Sequence, residues 1–203
     1  MELRSRPVFC NLQPLILASE SPRRSQLLRS VGLALEVIPS GVEEWESPDK
    51  EPAALVKRRA YEKARAVSFL HPRSWVLSAD TIVVHRDTIL GKPTSAEEAS
   101  AMLQRLNGQM HQVFSGVCLS RYEPAFIRIE CFRTDVGFRM LSDAEIGAYV
   151  KTGEPFDKAG AYGIQGMGAF LVKSVNGSYT NVVGLPLCEV VEWLTEQRII
   201  APA

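Results

Sequence analysis

Apolar residues recur along this chain in short blocks that alternate between strand-like runs and helical spacing. Residues 15–18 form a continuous apolar run, read as a short buried strand; residues 22–31, stopped by Gly32, read as a helix; and residues 35–38 as a second strand. The chain therefore opens as β-α-β. From Pro52 to Leu70 the apolar positions Leu55, Val56, Ala60, Ala64 and Val67 share one helical face, with Lys57, Arg58, Lys63 and Arg65 supplying polar surface. Residues 75–79 follow as a central strand. Residues 82–85 and 88–90 predict a hairpin across Arg86-Asp87, a turn without the usual glycine.

Ser95 with Glu98, and Ser142 with Glu145, have capping-box spacing and open helices that end near Gly108 and Gly153. Between those helices, residues 112–120 and 125–138 have the β-branched and aromatic content of long antiparallel strands. Residues 169–175 continue as strand up to a turn at Asn176-Gly177, and a last helix occupies residues 187–197. Early β-α units followed by long hairpins predict an α/β protein: a mixed twisted sheet with flanking helices and two lobes around a central cleft. No linker or internal repeat interrupts residues 15–203, which are assigned to one domain; residues 1–14 read as a loosely held N-terminal extension.

Composition narrows the partners. The 203 residues are 46% hydrophobic, enough to bury about 70% of the unfolded surface. Lysine plus arginine number 23 and aspartate plus glutamate number 23, so no net field favours nucleic acid or an anionic membrane, and neither is expected as a partner. Any cationic site must be local. Cys10, Cys118, Cys131 and Cys188 are far apart and lack a C-x-x-C pair, which fits reduced structural thiols. No apolar run approaches the roughly 20 residues of a membrane span, and the expected location is the cytoplasm.

Four places gather polar groups that a core does not require. In Ser19-Glu20-Ser21-Pro22-Arg23-Arg24, Ser21 is a good N-cap and Pro22 suits the first helical position, so free N–H groups and two guanidinium forks meet beyond a buried strand. That arrangement suits a phosphate; its plainer reading is a strand-to-helix turn with two solvated arginines. Glu43-Glu44 follows the second strand. Asp80, in Ser78-Ala79-Asp80-Thr81, comes directly after a buried strand, where rigid backbone fixes the direction of a metal ligand or general base, or where an aspartate simply caps a turn. The run Asp157-Lys158-Ala159-Gly160-Ala161-Tyr162-Gly163-Ile164-Gln165-Gly166 is glycine-rich but has neither Walker nor dinucleotide spacing. His71, His85 and His111 lack metal-ligand spacing, and no nucleophile elbow supports a Ser/His/Asp hydrolase. Carboxylates that hold a divalent cation, with arginines and lysines that neutralise phosphate oxygens, are what hydrolysis of a nucleoside triphosphate needs, provided these separated segments converge.

Leu17-Ala18-Ser19-Glu20-Ser21-Pro22-Arg23-Arg24, Ala60-Tyr61-Glu62-Lys63-Ala64, Ala79-Asp80-Thr81, Gly91-Lys92-Pro93, the run from Gly153 through Gly166, and Asn181-Val182-Val183-Gly184-Leu185-Pro186 occur in this order. Together they resemble the Maf family, the septum-formation-like nucleotide pyrophosphatases, over about residues 15–194. The resemblance implies a fold similar to the inosine triphosphate pyrophosphatases and cleavage of a nucleoside triphosphate to the monophosphate and pyrophosphate, with magnesium or manganese as the divalent metal cation. It implies Asp80 as catalytic carboxylate, general base and metal ligand, Glu44 as an acidic metal ligand, and Ser19, Arg24, Lys63, Lys92 and Lys158 around the triphosphate. It also carries the expectation of a homodimer.

Branches of the family differ in base preference. In those similar to 7-methyl-GTP pyrophosphatases, the positions of Arg23, Thr81 and Gln165 hold tryptophan, glutamine and glutamate, a set suited to a cationic purine. This chain has none of the three, and the neutral Gln165 amide complements the O4/N3–H edge of uracil and thymine, so the pattern resembles the dTTP/UTP branch. Two other readings stay open: a 7-methyl-GTP-type pyrophosphatase, and a regulatory protein linked to cell division whose cleft only senses nucleotide.

Overall fold

The computed structural model describes residues 6–42 and 51–203. β1 (Phe9–Asn11) and β2 (Leu15–Leu17) lead into α1 (Pro22–Ser30) and β3 (Glu36–Val37), and α2 (Pro52–Leu70) precedes β4 (Trp75–His85) and β5 (Thr88–Leu90). Next come α3 (Ala96–Leu106), β6 (Met110–Arg121), β7 (Phe126–Phe138) and α4 (Asp143–Lys151). After short 3₁₀ turns, β8 (Val172–Asn176), α5 (Tyr179–Val183), α6 (Leu187–Glu196) and β9 (Ile200–Pro202) complete the chain.

The main sheet is seven-stranded and mixed, in the order β3-β2-β4-β6-β7-β8 with β5 against β4. β2 runs parallel to β3 and β4, as a β-α-β opening requires, and the later pairings are antiparallel. Alternation along β4 sorts its side chains between two layers. Val76, Ile82 and Val84 face α2, packing with Ala60, Ala64 and Val67 or with Leu55 and Val56. The opposite face carries two separate apolar clusters. Trp75, Leu77 and Ala79 pack with Leu28 of α1 and Val190, Trp193 and Leu194 of α6, while Val83 packs with α3 and α4 through Leu103, Leu106, Ile146 and Tyr149. Two lobes thus share one sheet, and Thr81 stands between them.

Several boundaries depart from the sequence reading. β4 does not stop at residue 79: β6 pairs with it from Val76↔Ser120 to Val84↔Gln112, so the ladder carries the strand through Ser78, Asp80 and Thr81. The Arg86-Asp87 hairpin forms without glycine because Arg86 itself takes a positive φ of 49°. Ser142 and Glu145 form a full capping box; Ser95 caps α3, but the Glu98 carboxylate accepts from the Thr94 N–H and hydroxyl instead of returning to Ser95. The strand expected over residues 169–175 is shorter, since Gly166–Leu171 closes a 3₁₀ turn before β8. Within the stretch read as a loose extension, β1 pairs antiparallel with β9, Cys10 opposite Ala201.

Candidate active site

One edge of β4 has two different neighbours. β2 pairs with residues 75–77 and β5 with residues 83–85, and among the described residues no strand covers that edge from 78 to 82. A cleft of about 700 Å³ opens there, lined by Asp80 from the α2 face of β4 and Thr81 from the other. The two lobes and the end of β2 wall it. All of Ser19, Arg23, Arg24, Lys63, Asp80, Thr81, Lys92, Lys158 and Gln165 line it, so the separated segments do converge. Glu43 and Glu44 fall outside the described residues.

Asp80 is buried, with 3% of its surface exposed, and it lies in mid-strand rather than past a strand end as the sequence reading had it. Its Oδ1 accepts a hydrogen bond from Lys63 Nζ at 2.6 Å. Arg59 Nη1 lies 3.7 Å from Oδ2, which accepts no hydrogen bond among the described residues. Arg59 and Lys63 are four residues apart on α2, so both reach the same strand position. α2 comes this close because Gly116 lies opposite Asp80 in the ladder and a Cβ there would overlap the Val56 carbonyl.

On the other face, Arg24 is almost fully buried and satisfied by protein groups. It donates from Nε to the Gly184 carbonyl at 2.8 Å, from Nη1 to Ser19 Oγ at 2.9 Å and from Nη2 to Thr81 Oγ1 at 3.1 Å. Thr81 Oγ1 also lies 2.8 Å from Ser115 Oγ. Asn181, fully buried, holds this wall in place by donating from Nδ2 to the Val113 and Phe132 carbonyls and Thr134 Oγ1. Ser21 occupies the N-cap of α1 without a side-chain cap bond, and Ser21 and Pro22 line the cleft, so the helix N-terminus borders it.

At the mouth, Arg23 donates from Nη1 to Asp157 Oδ2 at 2.6 Å, and Lys158 Nζ donates to Asp157 Oδ1 at 2.6 Å. Partial burial works against the Asp157 charge, but these two cations more than offset it and hold the carboxyl below its ordinary value. Lys92 and Gln165 are exposed; neither makes a side-chain hydrogen bond among the described residues. The cysteines are free thiols, and burial pushes Cys118 up to about 12 and Cys131 to about 11, disfavouring their thiolates.

Arg59, Ser115, Asn181 and Asp157 were not assigned to the site from sequence. Arg59 had a usable signal, its i,i+4 spacing from Lys63, masked by the contiguous cations Lys57 and Arg58. Ser115 and Asn181 enter through cross-strand and cross-element hydrogen bonds that no local pattern displays.

The family model described as Maf-like protein matches residues 14–197. The chain belongs to the Maf family. Among curated relatives, a protein of Symbiobacterium thermophilum named dTTP/UTP pyrophosphatase is 51% identical to this Maf chain over 185 residues, covering 91% of it and 94% of the relative. One of Desulfotalea psychrophila with the same name is 47% identical over 189 residues, covering 93% and 97%. The solved structure of the Staphylococcus aureus Ham1 protein aligns with a TM-score of 0.43 at 11% identity, covering 62% of this chain and 72% of that one. No helix among the described residues is long and apolar enough to cross a membrane.

Proposed function

We propose that this Maf protein hydrolyses dTTP and UTP to the monophosphate and pyrophosphate. The observation that carries the proposal is a buried carboxylate, Asp80, in a cleft also lined by Arg23, Arg24, Arg59, Lys63, Lys92 and Lys158. The curated relatives named dTTP/UTP pyrophosphatase support the same substrate pair.

The triphosphate binds with its phosphates among the cleft cations and against the N-terminus of α1. Lys92 supplies a mobile charge, whereas Arg24 acts from a fixed position set by Gly184, Ser19 and Thr81. Asp80 accepts the proton of the water that attacks the α-phosphorus, and the bond to the bridging oxygen breaks to release pyrophosphate. Lys63 fixes the orientation of that carboxylate through Oδ1.

A buried acceptor without a hydrogen bond, Asp80 Oδ2, fits a divalent cation, although no group of three or more such ligands occurs among the described residues. Asp80 would hold magnesium or manganese, with Glu44 as the second acidic ligand that the family resemblance implies. When bound, such a cation would supply neutralisation of phosphate charge and polarisation of the scissile bond. Selection of the pyrimidine falls to Gln165, whose amide meets the O4/N3–H edge, with Arg23 and Thr81 shaping the cleft. The reading extends to a cytoplasmic homodimer.

Replacing Arg23→Trp, Thr81→Gln and Gln165→Glu together tests the selectivity. The expected result is a shift of kcat/KM from dTTP and UTP towards 7-methyl-GTP; unchanged selectivity would remove the role given to these three positions. Chromatography of the products tests the reaction: dTMP with pyrophosphate is expected, whereas dTDP with phosphate would contradict α–β cleavage.

A further inference from the structure

A glutamine amide that pairs with the O4/N3–H edge of uracil pairs equally with the N4–H/N3 edge of cytosine after its terminal torsion turns by half a revolution. The amide alone therefore does not separate uracil from cytosine; what the backbone position of residue 165 sets is how far the amide stands from the ribose, and so whether it meets the O4/N3–H edge of a pyrimidine or the O6/N1–H edge of the larger guanine, which has the same acceptor and donor order. Gln165 lies in a segment with two glycines as neighbours or near neighbours, Gly163 and Gly166, the latter at φ 68°, and such a segment is not rigid by itself.

One carboxylate organises it. Glu154, eleven residues upstream, accepts from the Met167 N–H at 3.0 Å through Oε2, and through Oε1 from the Gly168 N–H at 2.9 Å and the Tyr149 hydroxyl at 2.9 Å. The Tyr149 oxygen in turn accepts from the Gly163 N–H at 3.1 Å, so backbone on both sides of Gln165 is tied to the same pair of side chains. The glycines fit this arrangement: a Cβ on Gly166 would sit 2.9 Å from Glu154 Oε2, and one on Gly163 would sit 2.7 Å from Lys158 Cε. Burial disfavours the Glu154 charge, yet the hydrogen bonds from Tyr149, Gly168 and Met167 outweigh it and keep the carboxyl below its ordinary value.

We propose that Glu154 is the positioning residue for pyrimidine selectivity, pinning residues 163–168 so that Gln165 meets the base in one register. This rests on the reading that Gln165 contacts the base. Glu154 does not touch substrate; it replaces the internal hydrogen bonds that a glycine-rich loop lacks. Glu154→Gln places an amide NH₂ against one of two backbone N–H donors, so the pin fails while side-chain size is kept.

The test is the ratio of kcat/KM for UTP over GTP in wild type, Glu154→Gln, Gln165→Ala and the double variant. Loss of folded protein lowers both rates together and leaves this ratio unchanged, which separates positioning from mere stability. The expected result is a fall of about tenfold in each single variant and no further fall in the double. A ratio that collapses in Gln165→Ala but stays at the wild-type value in Glu154→Gln overturns the positioning role, as does a double variant in which the two losses multiply. An unchanged ratio in Gln165→Ala shows that the base reading itself fails, and the inference falls with it. Should Glu154→Gln not fold, Tyr149→Phe removes the bonds to Glu154 and Gly163 alone: a lowered ratio supports the inference, and a wild-type ratio overturns it.

Discussion

A carboxylate buried as deeply as Asp80 needs cationic partners, and it finds both on one helix, Lys63 at 2.6 Å and Arg59 at 3.7 Å. The pair does more than neutralise charge, because Lys63 bonded to Oδ1 fixes the orientation of the carboxylate while Oδ2 accepts no hydrogen bond among the described residues. Lys63→Met is expected to lower kcat by about 10²-fold with a smaller change in KM, and Lys63→Arg to restore part of it; steady-state pyrophosphate release measures both. Equal loss in kcat and in substrate affinity would instead make Lys63 a phosphate contact. Asp80 was legible in the sequence because it follows the apolar run Trp75-Val76-Leu77, where a carboxylate has no place in an ordinary core. Arg59 was not, since three adjacent cations look like solvated surface until the helix is turned to show that only one of them faces inward. Asp157 carries no such signal beyond its neighbour Lys158, because its second partner, Arg23, is 134 residues away and reaches it only in the folded chain.

At the level of elements, the apolar periodicity located α2 to the residue and the β6–β7 pair to within two residues, because each has a long stretch buried against one layer. It failed where pairing rather than burial decides. β4 runs on through polar residues because β6 supplies a continuous ladder, and the same polar residues mark where its other edge is left open. β1 escaped notice because three residues of half-polar sequence become a strand only when β9 arrives from the other end of the chain. The approach of α2 to the sheet gives a second prediction. Gly116→Ala should destabilise the protein by about 1–3 kcal/mol through overpacking and lower kcat by moving Arg59 and Lys63 from Asp80. Urea unfolding and turnover measure the two effects, and a variant with wild-type values of both would show that the helix can retreat without consequence.

For the molecule as a whole, balanced charge leaves pH dependence to a few buried groups. His111 is 1% exposed, within hydrogen-bond distance of Tyr162 Oη at 2.8 Å and edge-on to Phe138. Burial first, and then the charge of His85, push its pKa down to about 4 from 6.5. The unfolded chain therefore binds this proton more readily than the folded one, so the contribution of neutral His111 is complete above pH 6.5 and is lost as pH falls towards 4, by about 3 kcal/mol at most. Urea midpoints should drop over that interval in wild type and drop less in His111→Gln; parallel curves would assign the acid sensitivity elsewhere. Cleft, cations and carboxylate also belong to this scale, because the site is assembled from both lobes and both faces of one strand. Pyrophosphate release from dTTP, UTP, CTP, GTP and 7-methyl-GTP with magnesium or manganese, wild type against Asp80→Asn, measures hydrolysis and its dependence on the buried carboxylate together. Selective turnover of dTTP and UTP that falls by about 10³-fold or more in the variant is the predicted result, and nucleotide binding without turnover in wild type, or undiminished turnover in Asp80→Asn, would contradict it.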